Sequence, residues 1–120
     1  MSLTAMDLVA AAKLRIREVS PEEAGAWFGN AKVLDVREPA EYAAGKLPGA
    51  VNIPRGVLEF QIGSHPAFAG AQNEEILVYC LSGGRSALAV ETLLKLGYEG
   101  AVSLAGGFKA WSESGRAVEA

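Results

Sequence analysis

The run Ile76-Leu77-Val78-Tyr79 is apolar throughout, ends at Cys80, and passes through Leu81-Ser82-Gly83-Gly84 into a helix-patterned segment at Arg85. A strand of that kind is buried on both faces, and a glycine loop leading from it into a helix is a unit of α/β architecture. The rest of the chain repeats the alternation. Residues 16–19, 32–36, 51–53, 75–79 and 101–104 read as strands. Residues 4–14, 20–28, 39–44, 56–62, 85–96 and 108–113 read as helices. The pattern predicts an α/β fold around a mostly parallel sheet.

Local signals fix several boundaries. Ser20, Pro21 and Glu23 form a capping box with proline in the first turn. Gly29-Asn30, Gly45 and Gly97 stop helices, and Pro48-Gly49 makes a turn. In the first helix Met6, Val9, Ala10 and Lys13 fall at helical spacing. In the helix after Arg85, Leu88, Ala89, Thr92, Leu93 and Leu96 share a face. Residues 64–73 are small and polar, which predicts a loop.

Composition narrows the function classes. Of the 120 residues half are hydrophobic, enough for one core. A net charge of -3 argues against a broad nucleic-acid footprint. One cysteine cannot form an internal disulfide, and with the single histidine His65 it cannot build the usual zinc constellation. No apolar run approaches the roughly 20 residues that span a membrane. Asp7 interrupts the apolar start and no basic segment precedes it, so no secretory signal is expected. The expected setting is a reduced, cytoplasmic compartment, with no nucleic-acid or membrane partner.

The chemistry concentrates around Cys80. In an open α/β sheet, ligands bind at the carboxyl ends of strands, where Cys80 stands. The first N–H groups of the following helix lack intrahelical partners, and the helix dipole puts partial positive charge there. Gly83 and Gly84 permit a loop that turns successive N–H groups inward. Arg85 adds a permanent charge and a planar donor fork. A thiolate in this setting is stabilised and nucleophilic. A lone cysteine taken by itself is more simply a buried packing residue. The order strand, cysteine, glycine loop, arginine, helix reverses that preference. Four residues separate Cys80 from Arg85, one fewer than in the cysteine phosphatases. The tighter loop suits a single sulfur atom better than a tetrahedral oxyanion.

These segments resemble a known family. Val33-Leu34-Asp35-Val36-Arg37-Glu38-Pro39-Ala40-Glu41-Tyr42 is similar to the first signature of the single-domain rhodanese-like sulfurtransferases. Gly45-Lys46-Leu47-Pro48-Gly49-Ala50-Val51-Asn52-Ile53-Pro54 is similar to the second, residues 79–86 to the active-site loop, and Leu104-Ala105-Gly106-Gly107-Phe108-Lys109-Ala110-Trp111 to the closing signature. The resemblance covers about residues 16–115. It implies one rhodanese-like domain over 1–120, with a helical extension at 4–14 ahead of that core. It also implies a central sheet of about five strands flanked by helices, and no metal or organic cofactor.

The implied activity is sulfur transfer through a Cys80 persulfide. Cys80 would attack a small donor such as thiosulfate or a persulfide. The N–H groups of Leu81, Ser82, Gly83, Gly84, Arg85 and Ser86 would cradle the bound sulfur. An external thiol, cyanide or a partner protein would accept it, because the chain has no second cysteine. Leu81 and Ser82 are neutral where thiosulfate-specialised members can carry basic residues, which motivates a second reading as a persulfide carrier for a partner protein. A cysteine phosphatase or arsenate reductase ranks below both. Lys46 replaces a common histidine and is assigned no catalytic role.

Other residues carry secondary expectations. Asp35 and Arg37, at the end of a strand, either face the site or form a structural ion pair. The resemblance places Arg37 near the loop as support. Glu41 is expected to order the loop rather than move a proton. Ser86 is expected to cap its helix, with donation to bound sulfur as the alternative. His65 is expected at the solvated surface, and Trp27, Phe28, Phe108 and Trp111 in or beside the core. Gly106-Gly107 is expected to form a tight strand-to-helix turn.

Overall fold

Strands that are apolar on both faces must be covered on both sides, and the helices do so here. The computed structural model describes residues 2–27 and 30–120, Trp27 through its backbone alone. In chain order the elements are α1 (Ala5–Lys13), β1 (Glu18–Val19), α2 (Pro21–Trp27), β2 (Lys32–Asp35), α3 (Pro39–Ala44) and β3 (Val51–Asn52). They continue with a 3₁₀ turn (Arg55–Val57), α4 (Leu58–Gln61), β4 (Ile76–Tyr79), α5 (Gly84–Lys95), β5 (Ala101–Leu104) and α6 (Gly107–Glu113). The five strands form one sheet in the order β1-β5-β4-β2-β3, and every pairing is parallel.

This order positions the site. After β2 the chain leaves through α3 toward β3, whereas after β4 it leaves through α5 toward β5 on the other side. The carboxyl ends of β2 and β4 therefore flank a topological switch point, where open α/β sheets hold their ligands. On one sheet face Leu34, Ile53, Val78 and Cys80 pack with Leu58, Phe68, Val90 and Leu93. On the other, Val33, Leu77, Tyr79 and Leu104 pack with Ala24, Tyr42, Phe108 and Trp111. Phe108 and Trp111 thus pack as expected from sequence, while Phe28 and the Trp27 side chain fall outside the described residues.

The sequence signal at the start of α2 holds at the atomic level. Ser20 Oγ accepts the Glu23 N–H at 3.1 Å, and Glu23 returns an oxygen to the Ser20 N–H at 2.9 Å. The expected helix over 20–28 appears as α2, and positions 28 and 29, including its stop at Gly29, lie outside the described residues. Thr4 and Asp7 make the same reciprocal cap on α1.

Several buried faces differ from the periodicity reading. In α1 the buried residues are Val9 and Ala12, while Met6, Ala10 and Lys13 are exposed. The reason is the partner. Val9 and Ala12 rest on Ala87 of α5, so small side chains set the contact and the larger Met6 turns outward. In α5 the buried set is Ser86, Ala87, Ala89, Val90 and Leu93. Leu96 is exposed and Leu88 only half-buried, because Leu88 lies toward α1 rather than the sheet. Residues 16–19 give a shorter strand than expected, since Ile16 packs between α1 and the core instead of pairing.

Residues 64–73 form successive turns but are not a surface loop throughout. Phe68 is fully buried and Ala71 is buried beside it. His65 is half-buried rather than solvated. Its Nδ1 accepts the Ala67 N–H at 3.1 Å, and its ring lies 5.8 Å from that of Phe68. Phe68 anchors an otherwise polar segment to the core, so Phe68→Ala is expected to cost about 3–5 kcal/mol. Urea unfolding measures it, and a loss below about 1 kcal/mol would refute the anchor.

Candidate functional site

Cys80 follows β4 directly and is 1% exposed. Two backbone N–H groups reach its sulfur, Gly83 at 3.1 Å and Ser86 at 3.3 Å. Ser86 Oγ lies 3.6 Å from the same sulfur. Gly83 is the N-cap of α5 and has φ 105, a left-handed conformation that favours glycine. Gly84 is already the first helical residue with an ordinary φ, so the loop needs the special backbone of one glycine rather than two. Leu81 and Ser82 are exposed at the loop's tip.

Ser86 does not cap the helix as expected. It sits inside the first turn of α5, where its hydroxyl is buried between Cys80 Sγ and Ser103 Oγ, the latter at 2.8 Å. The N-cap position belongs to Gly83, which has no side chain to offer. Ser103, on β5, gave no signal in the sequence beyond being a polar residue inside a strand.

The fork of Arg85 is taken up by a carboxylate. Its Nη1 and Nη2 donate to the two carboxylate oxygens of Glu41 at 2.8 and 3.1 Å. Glu41 also accepts the Glu38 N–H at 3.0 Å, closing the cap of α3. Hydrogen bonding from Arg85 lowers the Glu41 pKa from 4.5 to about 2, and the same bond raises that of Arg85. This pair ties α3 to the start of α5.

Asp35 and Arg37 form a buried ion pair, 0% and 3% exposed. Arg37 Nη2 donates to Asp35 Oδ2 at 2.7 Å, and its backbone N–H donates to Oδ1 at 2.8 Å. Nη2 also reaches the Gly45 carbonyl. The Tyr79 hydroxyl donates to Asp35 Oδ2 at 2.8 Å and accepts the Leu47 N–H at 3.1 Å. Burial, then the Asp35 charge, raises the Tyr79 pKa. Phe108 covers the guanidinium at 4.4 Å from its centroid. The Asn52 amide donates to the carbonyls of Asp35 and Arg37. Of the two readings open from sequence, the geometry is that of a structural pair that joins β2, β4 and the 45–47 segment.

Periodicity gave no hint of a second backbone contact. At α6 the Phe108 N–H donates to the Cys80 carbonyl at 2.8 Å, and the Lys109 N–H to the Leu81 carbonyl at 3.0 Å. Gly106 and Gly107 both have positive φ, 74 and 61. A Cβ on Gly107 would lie 2.5 Å from the Cys80 and Leu81 carbonyl oxygens. The glycine pair is the expected tight turn, and it also brings α6 against the cysteine loop. Lys46 lies elsewhere in its chemistry, with Nζ 4.4 Å from the Tyr42 ring and its backbone paired with Glu119.

A family model described as Rhodanese-like domain matches residues 20–114. The chain belongs to the rhodanese-like family. A thiosulfate:glutathione sulfurtransferase of Homo sapiens is 36% identical over 94 residues, 71% of this chain and 82% of that protein. Chloroplastic thiosulfate sulfurtransferase 16 of Arabidopsis thaliana is 38% identical over 101 residues, 74% of this chain and 80% of that protein. A solved structure from Rhodopseudomonas palustris, a protein of unknown function described as a possible tyrosine phosphatase, superposes with TM-score 0.88. It is 28% identical and covers 99% of this chain and 96% of that one. The family match and the two sulfurtransferase relatives support a transferase. Among the described residues no cluster of three or more His, Cys, Asp or Glu could hold a metal, and no helix is long and apolar enough to cross a membrane.

Gly107→Ala should destabilise the protein by more than about 2 kcal/mol, because left-handed strain adds to overlap with two carbonyls. Thermal unfolding tests this, and an unchanged midpoint would refute the contact. The Glu41–Arg85 pair predicts a pH signature. Because the folded pKa of Glu41 is depressed, its contribution is fully present above pH 4.5 and is lost as pH falls through about 2. The stability gap between wild type and Glu41→Gln should therefore narrow across that window. A gap independent of pH would contradict the pairing.

Proposed function

We propose that this rhodanese-like protein is a sulfurtransferase that carries sulfane sulfur on Cys80. The observation that carries the reading is the Cys80 sulfur itself, buried at a strand's carboxyl end and facing the N–H groups of Gly83 and Ser86. Backbone donors of this kind can hydrogen-bond an anionic sulfur.

In the first half-reaction the Cys80 thiolate attacks the outer sulfur of thiosulfate. The sulfur–sulfur bond of the donor breaks, sulfite leaves with the electron pair, and Cys80 holds a persulfide. An external thiol or cyanide then attacks the terminal sulfur, and the Cys80 thiolate leaves. Atoms and charge balance across the two steps without a cofactor. The loop N–H groups from Leu81 to Ser86 hold the terminal sulfur. Asp35, Arg37 and Glu41 support the loop without touching the reacting atoms. The single cysteine makes the acceptor an outside molecule.

Two features argue against phosphate chemistry. Cys80 is almost inaccessible, which suits a slim terminal sulfur better than a tetrahedral group. The guanidinium of Arg85, which would clamp a phosphate, is held by the Glu41 carboxylate.

Intact-mass spectrometry after incubation with thiosulfate tests the proposal. The wild type should gain one sulfur that dithiothreitol removes, and should form thiocyanate with cyanide. Cys80→Ser should lose both at least about a thousandfold, as for removal of a covalent nucleophile. A stable persulfide with negligible cyanide turnover would instead favour a carrier that serves a partner protein, a role suited to the neutral, exposed Leu81-Ser82 tip. Hydrolysis of an aryl phosphate that depends on Cys80, with no sulfur uptake, would overturn the proposal.

A further inference from the structure

Ser103 is a hydroxyl inside a strand whose neighbours are apolar, and it is 0% exposed. Its strand partners are Val78 of β4, two residues before Cys80, and Glu18 of β1, the one charged residue in register with it. On that face of the sheet Ala101 and Cys80 belong to the same packed cluster beneath α5. An alanine would satisfy packing there. The serine instead places Oγ 2.8 Å from Ser86 Oγ, which in turn lies 3.6 Å from Cys80 Sγ. Three side chains from β5, α5 and the end of β4 thus form one buried polar line ending at the sulfur.

Hydroxyl hydrogens rotate, so the line can run in either direction. With Cys80 as a thiol, S–H points to Ser86 Oγ and the Ser86 hydrogen to Ser103 Oγ. The Ser103 hydrogen then lies outside the line. With the sulfur as a pure acceptor, Ser103 O–H donates to Ser86 Oγ and Ser86 O–H donates to sulfur. Every hydrogen in the line then rests on an acceptor. Only the second arrangement brings the Ser86 hydrogen to the sulfur.

We propose that Ser103 is a positioning residue which, acting through Ser86, turns the Ser86 hydroxyl onto the Cys80 sulfur. The proposal rests on the reading of Cys80 as a nucleophile and adds a residue that never touches the substrate. Ser103 completes from the side chains what the Gly83 and Ser86 N–H groups begin from the backbone. A bound terminal sulfur shifts negative charge outward, and Ser86 can follow it only while Ser103 supplies the hydrogen bond behind it.

The test is Cys80 alkylation by iodoacetamide as a function of pH, read by intact mass, which requires no sulfur donor. Ser103→Ala and Ser103→Val should alkylate about two- to tenfold more slowly at neutral pH. Their profiles should move to higher pH and reach the wild-type plateau. Ser103→Thr should restore the wild-type profile. In a Ser86→Ala background the Ser103→Ala effect should vanish, because the residue acts through Ser86. Profiles that superimpose on the wild type, or a loss equally large without Ser86, would overturn the proposal. Should the alanine variant fail to fold, Thr and Val at position 103 have similar shape and differ by the hydroxyl, and their comparison decides. A protein that shows the alkylation shift but takes no sulfur from thiosulfate would refute the transferase reading while supporting the role of Ser103. Sulfur uptake with superimposed profiles would refute Ser103 alone.

Discussion

The carbonyls of Cys80 and Leu81 are received by the Phe108 and Lys109 N–H groups at the start of α6, and the shape of the cysteine loop depends on that contact. A loop that turns its N–H groups inward must turn carbonyls outward. Buried carbonyls need donors, and a helix start has donors without partners. The two deficits cancel across a gap that only glycine fits, since any side chain at Gly107 would overlap both carbonyl oxygens. The closing glycine pair and the cysteine loop are therefore one device, though nineteen residues lie between Ser86 and Gly106. Ser103, on the strand leading into that turn, reaches the same loop from beneath.

Charged residues around the loop are paired with one another. The Asp35–Arg37 pair is fully buried, and an isolated buried pair recovers its desolvation cost poorly. Here each partner gains further bonds, from Tyr79 and the Arg37 N–H on one side and the Gly45 carbonyl and Phe108 ring on the other. The network fixes the carboxyl ends of β2 and β4 relative to each other. Glu41 and Arg85 do the corresponding work nearer the surface, joining the cap of α3 to α5. Removing either acid would free a cation beside the site as well as loosening the frame.

The parallel α/β architecture was readable from apolar strands, and the start of α2 was readable from capping chemistry that acts over three residues. Both are local. The faces of α1 and α5 were read only in part, with Val9, Ala89 and Leu93 buried as read, because helical periodicity identifies a stripe without saying what lies opposite. Ala12 and Ala87 meet because they are small, and that is a property of the pair. Phe68 was hidden by polar neighbours, since one aromatic among turn residues makes no periodic signal. At the site, Cys80, Gly83 and Ser86 were legible as a loop between strand and helix. The engagement of Arg85 by Glu41 and the link from Ser86 to Ser103 were not, because the partners lie 44 and 17 residues away.

That hidden pairing bears on what the loop can recognise. A free guanidinium beside the sulfur would attract any compact dianion and would stabilise a phosphoryl group through a planar fork. With its fork on Glu41, Arg85 presents a partly neutralised field to Cys80. What remains close to the sulfur is a set of neutral dipoles, the Gly83 and Ser86 N–H groups and the Ser86 hydroxyl. Neutral donors at about 3 Å distinguish a single polarisable sulfur anion from a larger charged group more by fit than by charge. On the proposed reading, a terminal sulfur would settle among these donors while the nearest guanidinium is already paired with a carboxylate. A site meant to pass an atom onward must bind it without trapping it, and neutralising the nearest arginine is one way to satisfy both demands.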